Sequence, residues 1–313
     1  MVFTMSWGTV VKLAAAVALC LPVVLLASLA GCTGPESNIR PAEKTIIRAE
    51  GSDTMVNLAQ AWAELHHQLY PSVEVHVLGG GSGVGIASLI EGTCDLANSS
   101  REMTAEEKRS LLEKRGLEAV EYVVGFDALA VYVHKSNPLD TISLPELAEI
   151  FGDGGTITHW SQLGVEIPGA RIGRIIRVSR QNSSGTYAYF RETVLGKRRD
   201  MGLGSLDANG SKDAVALVSR TPTAIGYTGM GYITDQVKVL RVARRPGEPG
   251  VLPCVRTATD RSYPLTRPLL IYTAGQPQGQ LKQYIDWIMG PQGQQVVLEL
   301  GYVPASAGST QTR

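Results

Sequence analysis

Three stretches of the chain repeat one pattern, and that pattern leaves few folds open. Thr45 to Gly51 begins as a short strand, passes through Gly51-Ser52-Asp53-Thr54, then places Met55, Leu58, Trp62, Leu65 and Leu69 at helical intervals before Pro71. Val73 to Leu78 alternates, runs into Gly79-Gly80-Gly81-Ser82-Gly83-Val84-Gly85, and continues with Ile86, Leu89 and Ile90 on one helical face up to Gly92. Ile175 to Val178 leads into Arg180-Gln181-Asn182-Ser183-Ser184-Gly185-Thr186 and then into Tyr187, Phe190 and Val194. Strand, polar turn and helix in repeated order predict parallel α/β sheets, whose ligands lie beyond the carboxyl ends of the strands. All three turns fall at such ends.

The turns are chemically alike. Glycines let the backbone turn sharply and come close to a ligand, and the helix that follows offers unpaired N–H groups to an anion. The Gly79–Gly85 turn lacks the Lys-Ser/Thr ending of a nucleotide-binding Walker loop, and Val84 spoils a Gly-x-Ser-x-Gly nucleophile elbow. Ser52, Asp53 and Thr54 suit helix capping equally well. A fourth turn, Asn98-Ser99-Ser100-Arg101, precedes a helix that Thr104 and Glu107 can cap as a capping box, which leaves Ser99, Ser100 and Arg101 free for another task. In the Arg180 turn a planar guanidinium, able to grip two oxygens of a tetrahedral anion, stands beside hydroxyls at a helix start.

At 313 residues the chain exceeds what one core usually covers, so two lobes are expected. Lys plus Arg equals Asp plus Glu at 29 each, which gives no basic field for nucleic acid. Between the repeated units, "FDALAVYVHKSNP" reads as an apolar strand crossing from one lobe to the other, and "SYPLTRPLLIYT" as the return; Leu281–Met289 and Gln294–Leu300 read as closing helices. The five histidines make no metal-ligand spacing, so no metal or other cofactor is expected.

The N-terminus is of another kind. Leu13 to Ala30 is almost wholly apolar, and Leu29-Ala30-Gly31-Cys32 resembles the bacterial lipobox, in which the cysteine is lipidated; a plain transmembrane anchor is the rival. Both tether an extracytoplasmic protein to a membrane. The polar run after Cys32 reads as a flexible tether. Cys94 and Cys254 then remain, either paired or free.

Taken in order, "GSDTM", "GGGSGVGI", "DLANSSRE", "FDALAVYVHKSNP", "RQNSSGTY", "AIGYTGMGY", "YPLTRPLLIYT" and "GPQGQQVVLELGYVP" resemble the PstS family, the solute-binding lipoproteins of the high-affinity phosphate ABC transporter, from about Thr45 to Pro304. The resemblance implies a type II periplasmic-binding-protein fold: two α/β lobes joined by two crossing strands, with a ligand cleft between them. It divides the chain into a signal peptide (1–31), a lipidated Cys32 with tether (32–44), lobe I (45–134 with 263–313) and lobe II (135–262). It implies a monomer that binds inorganic phosphate and delivers it to an ABC permease, without catalysis. Carried over residue by residue, it assigns the ligand to Ser52, Thr54, Ser82, Ser100 and Arg101 of one lobe and Arg180, Ser184, Gly185 and Thr186 of the other, with Ser99 and Ser183 as weaker candidates. Well-studied members place an aspartate at the end of the third loop to accept the proton of phosphate; this chain has Ser100-Arg101 there, and Asp53 is the substitute acceptor expected. Rival readings are another oxyanion (molybdate, tungstate or sulfate), a surface phosphate sensor, or a phosphatase.

Overall fold

The computed structural model describes residues 44–305. The expectations on residues 1–43, including Cys32, and on residues 306–313 lie outside the described residues.

Along the chain, β1 (Thr45–Gly51), α1 (Val56–Leu69), β2 (Val73–Leu78), α2 (Ser82–Glu91), β3 (Leu96–Ser99) and α3 (Ala105–Arg115) lead to the long strand β4 (Ala119–His134). Then follow β5 (Thr141–Ser143), α4 (Leu144–Phe151), β6 (Ile176–Arg180), α5 (Gly185–Phe190), β7 (Leu206–Ala208), α6 (Ser211–Arg220) and β8 (Ala224–Gly229). After β9 (Val237–Val239), β10 (Arg241–Ala243) and α7 (Val255–Thr259), the chain closes with β11 (Thr266–Ala274), α8 (Gly279–Met289), α9 (Pro291–Glu299) and β12 (Val303–Pro304).

The main sheet runs β2-β1-β3-β11-β4-β8-β6-β7, with β9 and β12 also paired to β4. Its two ends are parallel: β1 with β2 and β3, and β6 with β7 and β8. Between them β4 and β11 are antiparallel, with Arg267 directly opposite Asp127. β4 belongs to both halves, because its first part pairs with β11 and its last part, from Leu129, with β8 and β9. This accounts for its composition: Ala128 to Val133 are wholly buried, as a strand covered on both faces must be. The chain returns beside it, Leu129 N–H donating to Leu265 C=O at 2.7 Å and Tyr263 O–H to Leu129 C=O at 2.8 Å.

Each half has its own apolar core. One packs Ile47, Leu58, Trp62, Leu96 and Val124 against Ile285 and Val297. The other packs Val131, Leu147, Phe151 and Trp160 around Phe190 and Tyr227, whose rings stack at 3.8 Å. In α1 the buried stripe is Leu58, Ala59, Trp62, Ala63 and His66, so the last predicted core residue, Leu69, is exposed where the helix ends. The predicted helix through Val194 also breaks: α5 stops at Phe190 and passes into a π-helical turn, Arg191–Leu195, closed by Gly196. Thr104 and Glu107 form the anticipated capping box on α3.

Candidate functional site

The polar turns meet where β1, β2, β3 and β6 end. α1 begins without a side-chain cap, at Met55, so Ser52, Asp53 and Thr54 are not spent on helix capping. The Ser52 hydroxyl bonds that of Ser100 at 2.9 Å, and the Ser82 and Ser100 hydroxyls lie 3.3 Å apart. Ser100 N–H also donates to Ser82 Oγ at 3.0 Å. From the other half, the Thr186 hydroxyl lies 2.8 Å from that of Thr54. All five side chains are buried. Ser82 opens α2, so the positive end of that helix lies at the cluster, although the N–H groups of Gly83, Val84 and Gly85 are taken by Ser183 C=O and Gly81 C=O. Loop 52–54 is held from behind, Tyr232 O–H donating to Asp53 C=O at 2.6 Å and Tyr302 O–H to Thr54 C=O at 2.8 Å.

Glycine permits the close approach of the two halves. Gly81 has φ +98°, and a Cβ there would stand 2.6 Å from Ser183 C=O. Across this contact Gly83 N–H donates to Ser183 C=O at 2.9 Å, and the Ser183 hydroxyl donates to Gly80 C=O at 3.1 Å. A Cβ on Gly185 would lie 2.2 Å from Ser82 Oγ and 2.6 Å from Ser100 Oγ. Ser184 stays within its own half, capping α5 by accepting from Thr186 N–H at 3.2 Å.

Arg180 is buried at the end of β6 and bridges the halves through a 2.7 Å ion pair to Asp53 Oδ2. Its other donors reach Ser211 Oγ at 3.1 Å and the carbonyls of Ala208 and Asn209 at 3.3 and 3.4 Å. Burial lowers its guanidinium pKa, against the pull of Asp53. Asp53 Oδ1 accepts Gly80 N–H at 2.9 Å, so this carboxylate ties together the first loop, the glycine loop and the other half.

Arg101 and Ser99 are placed differently. Arg101 makes a forked ion pair with Glu107, at 2.6 and 2.8 Å, and has no hydrogen bond to the hydroxyls of the cluster. Burial alone would raise the Glu107 carboxyl, but its hydrogen bonds from Arg101 and Thr104 outweigh that and hold it below its ordinary value. The Ser99 hydroxyl closes its own turn, donating to Arg101 C=O at 2.6 Å.

Two residues not singled out from the sequence lie under the cluster. Arg267 and Asp127, both buried, pair at 2.9 Å and 3.2 Å through Nη2 and Nε. Arg267 Nη2 also lies 3.0 Å from both Thr54 Oγ1 and Thr186 Oγ1. Burial pushes the Asp127 carboxyl above its ordinary value, against the pull of Arg267 and of the Met230 and Ala128 N–H groups. Removing one partner of such a pair typically costs about 3–5 kcal/mol, because a bare charge stays behind in a poor solvent for it. The signal was present in the sequence: each of two apolar crossing segments carries one buried charge, of opposite sign. Beside the cluster opens a cleft of about 900 Å³ whose lining includes Ser100, Arg101, Tyr187, Tyr189, Arg191 and Arg267.

Among the described residues no group of three or more His, Cys, Asp or Glu is arranged to hold a metal ion. The cysteines left open by the sequence are free, Cys94 buried and Cys254 exposed. No helix of the described residues is long and apolar enough to cross a membrane.

Residues 37–292 match the model of the PBP superfamily domain. The chain is 34% identical over 268 residues to the phosphate-binding protein PstS of Pseudomonas aeruginosa, covering 82% of each chain. It is 31% identical to the phosphate-binding protein PstS of Bacillus subtilis, covering 82% of this chain and 79% of that one. Among solved structures it resembles, with a TM-score of 0.74 and 27% identity, a Clostridium perfringens protein described as a phosphate ABC transporter substrate-binding protein and solved with phosphate bound; the match covers 83% of this chain and 100% of that one. With its parallel half-sheets, its crossing strands and this match along most of its length, the chain belongs to the PBP superfamily and, within it, to the PstS family of phosphate-binding proteins.

Proposed function

We propose that this protein captures inorganic phosphate between two lobes, residues 45–134 with 263–313 and residues 135–262, and delivers it to an ABC permease. The observation that carries the reading is the convergence of five buried hydroxyls, Ser52, Thr54, Ser82, Ser100 and Thr186, from both halves onto one point beside the start of α2. The hydrogen bonds these hydroxyls make to one another are exchangeable for bonds to a tetrahedral oxyanion, with each serine or threonine donating one proton. Ser184 and Gly185 would contribute as the capped start of α5, and Ser183 as the contact that joins it to the glycine loop.

The magnitudes are sufficient. Micromolar binding needs about 8 kcal/mol, and hydrogen bonds to a charged group contribute roughly 1.5–3 kcal/mol each. Five or six such bonds exceed that need after the costs of ordering and desolvation are subtracted. Closure couples to binding because donors from both lobes reach one ligand, so either lobe alone holds it poorly.

Arg180 makes the second lobe matter, by anchoring Asp53 across the cleft. In this reading Asp53 also accepts the proton of phosphate, the property that sulfate lacks. The absence of a histidine beside the serines favours binding over phosphoester hydrolysis. At the N-terminus, lipidation of Cys32 would hold the protein at the outer face of the cell membrane, near its permease. Calorimetry of Arg180→Ala tests the assignment: a loss of phosphate affinity of at least a hundredfold with the fold intact is expected, and affinity near wild type would refute it.

A further inference from the structure

We infer that Arg267 is itself a ligand of the oxyanion, supplied by the crossing strands rather than by either lobe's loops, and that Asp127 is the positioning residue that holds it there. The inference rests on the phosphate reading above and identifies a second cation in its site.

Arg180 is largely consumed by protein acceptors: Asp53, Ser211 and two carbonyls take its donors. Arg267 is not. A guanidinium has five N–H donors. Nε and one Nη2 hydrogen go to Asp127 Oδ2, at 3.2 and 2.9 Å. The other Nη2 hydrogen points between Thr54 Oγ1 and Thr186 Oγ1, each 3.0 Å away, so two acceptors compete for one proton. Nη1 has two hydrogens and one long contact, 3.5 Å to Ser100 C=O. The Nη1/Nη2 edge of the fork therefore faces three turns that carry the site hydroxyls, with donors to spare. A planar two-nitrogen edge suits two oxygens of one tetrahedral anion.

Its surroundings make that edge strong and fixed. The side chain is fully buried, so salt screens it poorly. Asp127 lies directly opposite Arg267 in the β4–β11 ladder, which locks the guanidinium to the strands linking the two halves. The Tyr189 ring lies 5.6 Å from the guanidinium carbon and is itself tied to Thr266 C=O at 2.7 Å. Arg267 also lines the 900 Å³ cleft, together with Ser100. Thr54 and Thr186 come from opposite halves. An anion that takes up their hydroxyls and the Arg267 fork together is bonded to both lobes and to the hinge at once.

The competing explanation is that Arg267 only neutralises Asp127. The double variant Arg267→Met/Asp127→Asn separates the two, because it removes both charges and leaves neither unpaired. The experiment is calorimetric titration with inorganic phosphate of the wild-type protein, the double variant and Arg267→Lys, with thermal unfolding of each. The expected result is a folded double variant whose phosphate Kd rises at least a hundredfold, and an Arg267→Lys Kd that rises at least tenfold because the charge is kept but the fork is lost. A folded double variant that binds phosphate within threefold of wild type overturns the inference. Should the double variant not fold, Arg267→Lys decides in the same way, with binding within threefold of wild type overturning it. Wild-type protein that does not bind phosphate at all would remove the functional reading and this inference together, whereas wild-type binding with unaltered variants removes only the inference.

Discussion

Replacing Gly185 with alanine adds one methyl group at the point where the two halves touch. That methyl carbon would stand 2.2 Å from Ser82 Oγ, 2.6 Å from Ser100 Oγ and 2.9 Å from Ser82 Cβ. Rotating the hydroxyls does not relieve the last contact, because Ser82 Cβ is fixed to the first turn of α2. Restoring ordinary carbon contacts, at roughly 3.5 Å or more, needs the halves to part by at least roughly 0.6 Å. A movement of that size takes the Thr54–Thr186 hydroxyl contact, 2.8 Å, beyond hydrogen-bonding range, and with it any anion that needs both groups. Loss of two bonds to a charged ligand, at roughly 1.5–3 kcal/mol each, weakens binding by about two to four powers of ten. Within its own half the change is mild, since alanine is the better helix former and Gly185 is the first residue of α5. Calorimetry with phosphate and thermal unfolding without it separate the two effects. Unchanged unfolding with an affinity at least a hundredfold weaker is expected; a phosphate Kd within threefold of wild type would show that the anion does not need this close contact of the halves.

Three further outcomes follow from individual residues. Asp53→Asn should narrow or abolish the preference for phosphate over sulfate, read by competition of the two anions in a thermal-shift titration; an unchanged ratio contradicts the acceptor role. Glu149 is held down to about 2 by the Arg199 guanidinium and the Thr156 N–H, below its ordinary value of 4.5, so its stabilisation is complete above the unfolded value and is lost as pH falls toward 2. Glu149→Gln should therefore flatten the decline of Tm between those two pH values, by a small amount because the pair lies at the surface, and parallel curves contradict it. Burial pushes the Cys94 thiol up to about 12, whereas the Thr257 hydroxyl lowers that of the exposed Cys254. A thiol reagent at mildly alkaline pH should label Cys254 in the folded protein and Cys94 only after unfolding, as peptide mass mapping would show; a Cys94–Cys254 disulfide in the isolated protein contradicts it.

The periodicity of the sequence carried the order of strands and helices, because each unit states its own period: alternation in Val73–Leu78, helical spacing from Ile86 to Ile90. The positions of the polar turns at strand ends followed from the same periods. Spacing did not settle how the turns divide their work. Ser52, Asp53 and Thr54 suit capping and ligand binding equally well, and the uncapped start of α1, with their hydrogen bonds to other turns, removes the capping role. Arg101 and Arg180 look alike in sequence, each beside serines in a turn. One folds back onto Glu107, six residues on, and the other crosses to Asp53, a partner 127 residues away. Arg267 and Asp127 were harder to read for a related reason: each is a charge within an apolar stretch of strand, and its meaning appears only when the ladder sets the two strands side by side.

Whether two lobes grip one phosphate ion is decided by calorimetric titration of the wild-type protein with phosphate, and separately with sulfate, at the same pH and ionic strength. A one-to-one phosphate isotherm of micromolar affinity or tighter is expected, with sulfate at least a hundredfold weaker. No heat with phosphate, or sulfate bound as tightly, would rule out a phosphate-gripping cleft.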